Sequence, residues 1–142
     1  MSTTTDNRTR IEHAWLAAWD LGEVEALDTL LSPDYRRISG TGEGQSLAEF
    51  KASIVTTRAA FPDLKTIIDE LVVDGDRAAV RWHSSGTHRH SFLGVPPTNR
   101  EIIVSGATFA HFDGDRIAKE YVTWDPRALL TALGILTIGQ DH

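Results

Sequence analysis

The run Arg116–Trp124 holds the first chemical possibility of this chain. Side chains alternate across a strand, so Ala118, Glu120, Val122 and Trp124 would share one face. A carboxylate enclosed by Trp124 and aliphatic neighbours loses hydration, its pKa rises, and it becomes a base suited to removing an acidic C–H. Glu120 is thus the candidate base; its other reading is a partner for arginine or lysine at the sheet rim. Asp125 stands before Pro126, where a carboxylate caps a helix and proline fits the first turn. Capping lowers a carboxylate's pKa and makes it a weak base near neutrality.

His88 and His90 lie two apart and would point to one side of a strand, with His83 upstream. A third ligand at evident spacing is missing, so no metal site is expected. Arg37 could clamp a carboxylate or enolate oxygen, although adjacent Arg36 also fits a stretch that faces water. Tyr35, Trp82 and Trp124 could stack on a planar polycyclic ligand while an N–H or O–H orients it, or could pack as core. Trp15 and Trp19 follow helix spacing and read as core. Ile102, Val104, Gly106, Thr108, Ala110 and Phe112 alternate onto one face, which suits a core or the wall of a hydrophobic pocket. His111 falls on the opposite face and reads as a surface or interface residue.

The elements that must position these groups are legible from spacing. Ile11, Ala14, Trp15, Ala18 and Trp19 predict an amphipathic helix that stops at Gly22. Val24, Leu27, Leu30 and Leu31 predict a short second one, broken by Ser32-Pro33-Asp34. Ser46-Leu47-Ala48-Glu49 is a capping box, opening a helix that ends at Phe61-Pro62-Asp63. Four strand-like runs follow, Thr66–Val73, Arg77–Ser85, Glu101–Phe112 and Arg116–Trp124, with turns at Asp74-Gly75 and Asp113-Gly114. A last helix starts at Asp125-Pro126 and stops at Gly134. Helices first and an antiparallel meander afterwards predict an α+β domain, a cone in which N-terminal helices pack on a curved antiparallel sheet around a pocket.

The 142 residues suit one domain, with residues 1–6 as a flexible N-terminus. A net charge of -6 without a basic patch argues against nucleic acid as partner. The absence of cysteine removes thiolate chemistry and disulfides. The polar start, Met1 to Arg10, reads as neither a signal peptide nor a membrane anchor, so a cytoplasmic protein is expected.

Gly86-Thr87-His88, followed by Phe92-Leu93-Gly94-Val95-Pro96-Pro97-Thr98, resembles a segment of the SnoaL-like polyketide cyclases, members of the nuclear-transport-factor-2-like superfamily. The likeness continues through Asp113-Gly114, Ile117, Trp124-Asp125 and Leu133-Gly134, and earlier through Ser32-Pro33-Asp34-Tyr35. The resemblance implies the cone fold, a homodimer, a small-molecule substrate and proton-transfer chemistry without a cofactor. It also implies an acid–base aspartate and a helping histidine, which here fall on Val122 and Thr108, and a polar pocket asparagine, which falls on Arg37. Valine can move no proton, and threonine is a poor base near neutrality. His88, by its place in the segment, would line the pocket mouth, relaying a proton or donating to a carbonyl, or else stand in water at the rim.

Two functions follow as expectations. One is a cofactor-independent enzyme on a polyketide-like carbonyl compound, with Glu120 as base and His88, Thr108 or Arg37 stabilising the oxyanion. The other is a non-catalytic binder of a small hydrophobic or polycyclic ligand, with Tyr35, Arg37, Trp82, Thr108, Val122 and Trp124 around it. A third reading, a homodimer with a filled cone, would use the face bearing Ile103, Ala107 and Phe109.

Overall fold

Helix formation begins before the apolar stripe does. In the computed structural model, which describes residues 3–40 and 44–134, α1 spans Thr3–Trp15 rather than starting at Ile11. Asn7 is buried on the same stripe as Ile11, Ala14 and Trp15, and accepts from Arg10 at 3.1 Å. Arg8 donates to the Leu71 carbonyl, so polar side chains tie this end to the sheet. A single π-helical turn, Leu16–Asp20, extends α1, and Gly22 ends it in the left-handed region (φ 75°). The second predicted helix is a short 3-10 segment, Val24–Thr29.

Strand β1 (Leu31–Ile38) includes Ser32-Pro33-Asp34, where the spacing predicts a break. The proline is tolerated because pairing shifts register between Leu31 and Arg36, and an irregular strand needs fewer ladder donors there. A two-residue β2 (Gln45–Ser46) leads into α2 (Leu47–Ala60), opened by the predicted capping box of Ser46 and Glu49. Strands β3 (Lys65–Asp74), β4 (Arg77–Thr87), β5 (Glu101–Asp113) and β6 (Arg116–Trp124) follow, then α3 (Pro126–Ala132).

The curved, unclosed sheet runs β2-β1-β6-β5-β4-β3. The meander is antiparallel as expected, but β1 lies parallel to β6, a pairing that no local pattern announces. Rows of inward side chains cross the sheet in register: Trp82, Gly106 and Trp124, then Val80, Thr108 and Val122, then Ala78, Ala110 and Glu120. A bulge at Ala118 interrupts the alternation, since Lys119 pairs with His111 but Ile117 pairs with Phe112. Ile117, not Ala118, therefore faces the core. Helices α1 and α2 pack over β3 and β1, and α3 over β5. The outer face keeps Ile67, Val72, Ile103, Phe109 and Tyr121 exposed. No helix among the described residues is long and apolar enough to cross a membrane.

Candidate functional site

Between the helices and the inner sheet face lies a cavity of about 470 Å³. All four tryptophans of the chain line it, Trp15, Trp19, Trp82 and Trp124. Helix α2 contributes Phe50, Ser53 and Thr57, with Phe61 at its end; these recur at i, i+3, i+7 and i+11 and so share one face. The sheet adds Val122 and Val104, with the hydroxyls of Thr66 and Ser84, which bond each other at 2.8 Å. Arg37 and Gln45 come from β1 and β2. Among the described residues, Arg37 is the one ionisable side chain in the lining.

Several contacts fix this wall. Trp82 lies across Gly106, where an added Cβ would stand 2.4 Å from the Trp82 ring. The Trp82 Nε1 donates to Thr108 Oγ1 at 3.0 Å. The π-helical turn carrying Trp19 is held by Arg58, which donates to the carbonyls of Trp19 and Asp20 at 2.7 and 2.8 Å. Asp20 in turn accepts from the Thr66 N–H at 2.8 Å, pinning the turn to β3.

The charged group at the cavity is itself held from beneath. Arg37 and Glu120 are register partners across β1 and β6, and Arg37 Nη1 lies 3.3 Å from Glu120 Oε1. The Tyr35 hydroxyl donates to the same Oε1. Burial, followed by the negative charge of Glu120, pushes the Tyr35 hydroxyl well above the ordinary phenol range, so it remains a donor. The guanidinium also sits over the Phe50 ring, 4.3 Å from its centroid. One carboxylate thus orients both a phenol and an arginine that reaches the cavity.

Of the residues singled out from the sequence, Arg37, Trp82, Val122 and Trp124 line the cavity. Glu120 is not in the lining: it is buried in the row beyond Val122, paired with Arg37. Tyr35 is core, its ring 5.8 Å from that of Phe50, and Thr108 is wholly buried beneath Trp82. His88 does not stand at the mouth; it is fully buried and stacked on Phe61. The Thr98 N–H donates to His88 Nδ1 at 3.2 Å, which leaves the ring proton on Nε2, and His88 thereby anchors the double-proline loop. His111 lies on the outer face against Tyr121. Among the described residues no three His, Asp or Glu side chains gather as metal ligands.

A family model for SnoaL-like polyketide cyclases matches residues 9–133. The chain belongs to that family. Its fold is shared by AclR from Streptomyces galilaeus, a proposed hydroxylase, at TM-score 0.83 and 25% identity, covering 94% of this chain and 99% of that one. TsrD from Streptomyces laurentii matches at TM-score 0.83 and 27% identity, with 92% and 97% covered. A proposed polyketide cyclase from Acidithiobacillus ferrooxidans matches at TM-score 0.80 and 29% identity, with 94% and 98% covered. Among curated proteins none matches.

In this SnoaL-like cavity, Trp15 and Trp19 belong to the core as their spacing predicts, and they also form part of the lining, which spacing does not announce. They stand at i and i+4 along α1 and its π-helical extension and face inward. An inward stripe reads the same whether it meets packed atoms or open space. Gly106 carries a signal for Trp82 alone, since a glycine inside a strand marks close approach by another group, here the Trp82 indole.

Proposed function

We propose that this chain holds a planar, carbonyl-bearing small molecule of polyketide type in the tryptophan-lined cavity, with Arg37 receiving its oxygen. The observation that carries the reading is the composition of the wall. Four indoles and three phenylalanines, Phe50, Phe61 and Phe92, offer faces for a flat ligand, and a single guanidinium offers a directed positive charge. Family membership supports the ligand class. A guanidinium held in place by a buried carboxylate can stabilise an oxyanion or enolate without reorganising. Glu120 serves in this reading to position Arg37.

A second reading, proton transfer with Glu120 as base, is favoured by one detail. The contacts from Tyr35 and Arg37 both fall on Oε1, so neither occupies Oε2. Tryptophan fluorescence and product analysis with a panel of polycyclic ketones would separate the two, using wild type, Arg37→Met and Glu120→Gln. Binding without turnover, weakened chiefly by Arg37→Met, is the expected result. Turnover that disappears in Glu120→Gln while binding persists would establish the base instead, and failure of every aromatic ketone to bind would end both readings.

For the homodimer implied by the family resemblance, the outer sheet face is the interface we propose. Val72, Ala79, Phe109 and Tyr121 are register neighbours across four strands, and Val72, Phe109 and Tyr121 are exposed. A dimer by light scattering at micromolar concentration, converted to monomer by Phe109→Asp, is expected; a wild-type monomer would count against it.

A further inference from the structure

The turn that carries Trp19 is built against ordinary helix preference. A π-helical turn is rare and frequently marks a functional site. Its i→i+5 bond, from the Leu21 N–H to the Leu16 carbonyl at 3.2 Å, adds one residue to the turn and changes the angle at which Trp19 leaves the helix. Asp20 stands at the end of this turn, where the helix dipole disfavours a carboxylate. It is spent instead on the Thr66 N–H at 2.8 Å. Arg58 Nη1 donates to the Trp19 and Asp20 carbonyls at 2.7 and 2.8 Å, satisfying two acceptors that a helix end leaves open. Gly22 makes room for this arginine, since a Cβ there would stand 2.8 Å from Arg58 Nε. Of the five residues in the turn, Trp19 is the one that lines the cavity. Arg58, Asp20 and Gly22 thus converge on one indole.

That indole holds a decisive place in the wall. Trp19 packs against both buried clusters of the domain, one around Ile11, Tyr35 and Phe50 and the other around Phe61, Val104 and Leu129. It meets the Phe50 ring edge-on at 6.0 Å. Members of both clusters line the cavity, so a swing of Trp19 between them would change its width. We infer that Arg58, which stands outside the lining, is a positioning residue that fixes Trp19 and thereby sets the width of molecule the cavity accepts. The inference rests on the cavity as a binding site and adds what limits its size. Charge-assisted bonds hold the turn, and an indole ordered before binding spares the ligand the cost of ordering it.

The test reads Trp19 directly and then the selection by width. Protein labelled with 5-fluorotryptophan, its ¹⁹F signals assigned by single Trp→Phe changes, should show the Trp19 signal moved and broadened in Arg58→Met. The Trp82 signal, fixed by Thr108, should stay. Arg58→Lys keeps the charge and N–H donors on a shorter arm, so it should give an intermediate Trp19 signal; if Arg58→Met does not fold, this variant carries the comparison. Calorimetry with a narrow probe, anthracene-2-carboxylate, and a broad one, pyrene-1-carboxylate, measures selection. The ratio of their affinities should shift toward the pyrene acid by about two- to tenfold in Arg58→Met, the worth of ordering one side chain, and by less in Arg58→Lys. A Trp19 signal that stays put, or one that moves together with Trp82, would overturn the positioning role. An unchanged ratio beside a moved Trp19 would overturn the control of width and leave the cavity reading standing. If the wild type binds neither acid, the cavity reading fails and the control of width goes with it.

Discussion

The Arg37–Glu120 pair permits a worked prediction, because the two charges are unequally buried. The Glu120 side chain is 5% exposed and that of Arg37 is 14% exposed and reaches the cavity. In Arg37→Met the carboxylate keeps only the Tyr35 hydroxyl, and an uncompensated buried charge costs about 3 kcal/mol. In Glu120→Gln the amide oxygen can still accept from Tyr35, and the guanidinium can draw water from the cavity, so the cost is about 1.5 kcal/mol. With both charges removed the loss should be about 2 kcal/mol, well below the sum of the single changes, leaving a coupling of about 2.5 kcal/mol. For a domain of this size, the single variants should then melt about 10 and 5 °C below wild type. Urea denaturation of the four proteins completes the cycle. Additive losses, or an Arg37→Met protein as stable as wild type, would mean that Glu120 does not hold Arg37, and the proposed anchoring of the ligand oxygen would lose its basis.

Three further outcomes follow from the same contacts. The Asp63 carboxyl accepts from the backbone N–H and hydroxyl of Thr87, and the backbone bond first holds it below the usual carboxylate range. Its contribution is full above the unfolded value of about 3.9 and is lost as pH falls through the lower folded value. Stability measured in urea between pH 2 and 5, roughly the window set by those values, should therefore fall less steeply in Asp63→Asn, and an unchanged slope would refute it. The Tyr35 hydroxyl behaves in the opposite sense: raised by burial, it contributes fully below the unfolded value of about 10 and loses that contribution at higher pH. Absorbance of tyrosinate should show Tyr35 ionising only with unfolding, a step absent from Tyr35→Phe; ionisation in the folded protein would contradict its burial. In Gly106→Ala the new Cβ meets the Trp82 ring, so Trp82 must leave Thr108 at a cost of about 1–3 kcal/mol. A red-shifted tryptophan emission should accompany it, and an unshifted spectrum would show that the indole does not lie over Gly106.

How far the sequence carried depends on the range of each signal. The capping box of Ser46 and Glu49, the Asp-Gly turns and the strand Arg116–Trp124 rest on neighbours a few residues apart, and each was legible. The parallel pairing of β1 with β6 joins Arg37 to Glu120 across most of the chain, and nothing local encodes it. That pairing decides the site. Alternation correctly put Glu120, Val122 and Trp124 on one face, but face alone does not tell how far along the strand the cavity extends. The bulge at Ala118 was likewise silent, since its cause is the register of β5 against β6. His88 was misplaced because a motif position gives no depth: its imidazole is spent on Thr98 and Phe61.

The two positions where the family resemblance implies an acid–base pair now have a physical reading. Val122 is wall, and the hydroxyl of Thr108 accepts from the Trp82 indole, whose six-membered ring stands close against Gly106. An aspartate at 122 would face the cavity beside Trp82 and Trp124 and need a partner in an apolar surface. Valine there lets the wall stay apolar, and threonine at 108 orients the ring that would stack on the ligand. The charged groups nearby stand one row along β6, at Glu120, and across on β1, where Arg37 carries a sign opposite to that of a general base. In the proposed reading such a cavity would stabilise negative charge that develops on a bound molecule, and among the described residues its lining holds no carboxylate or imidazole to take a proton. Chemistry in it would therefore start from a ligand acidic enough to surrender its proton to water, or from Oε2 of a Glu120 reached only past Arg37. The first route requires no movement of the protein, and under the proposed function it would make the acidity of the ligand, rather than the basicity of the wall, the property that decides which molecules react.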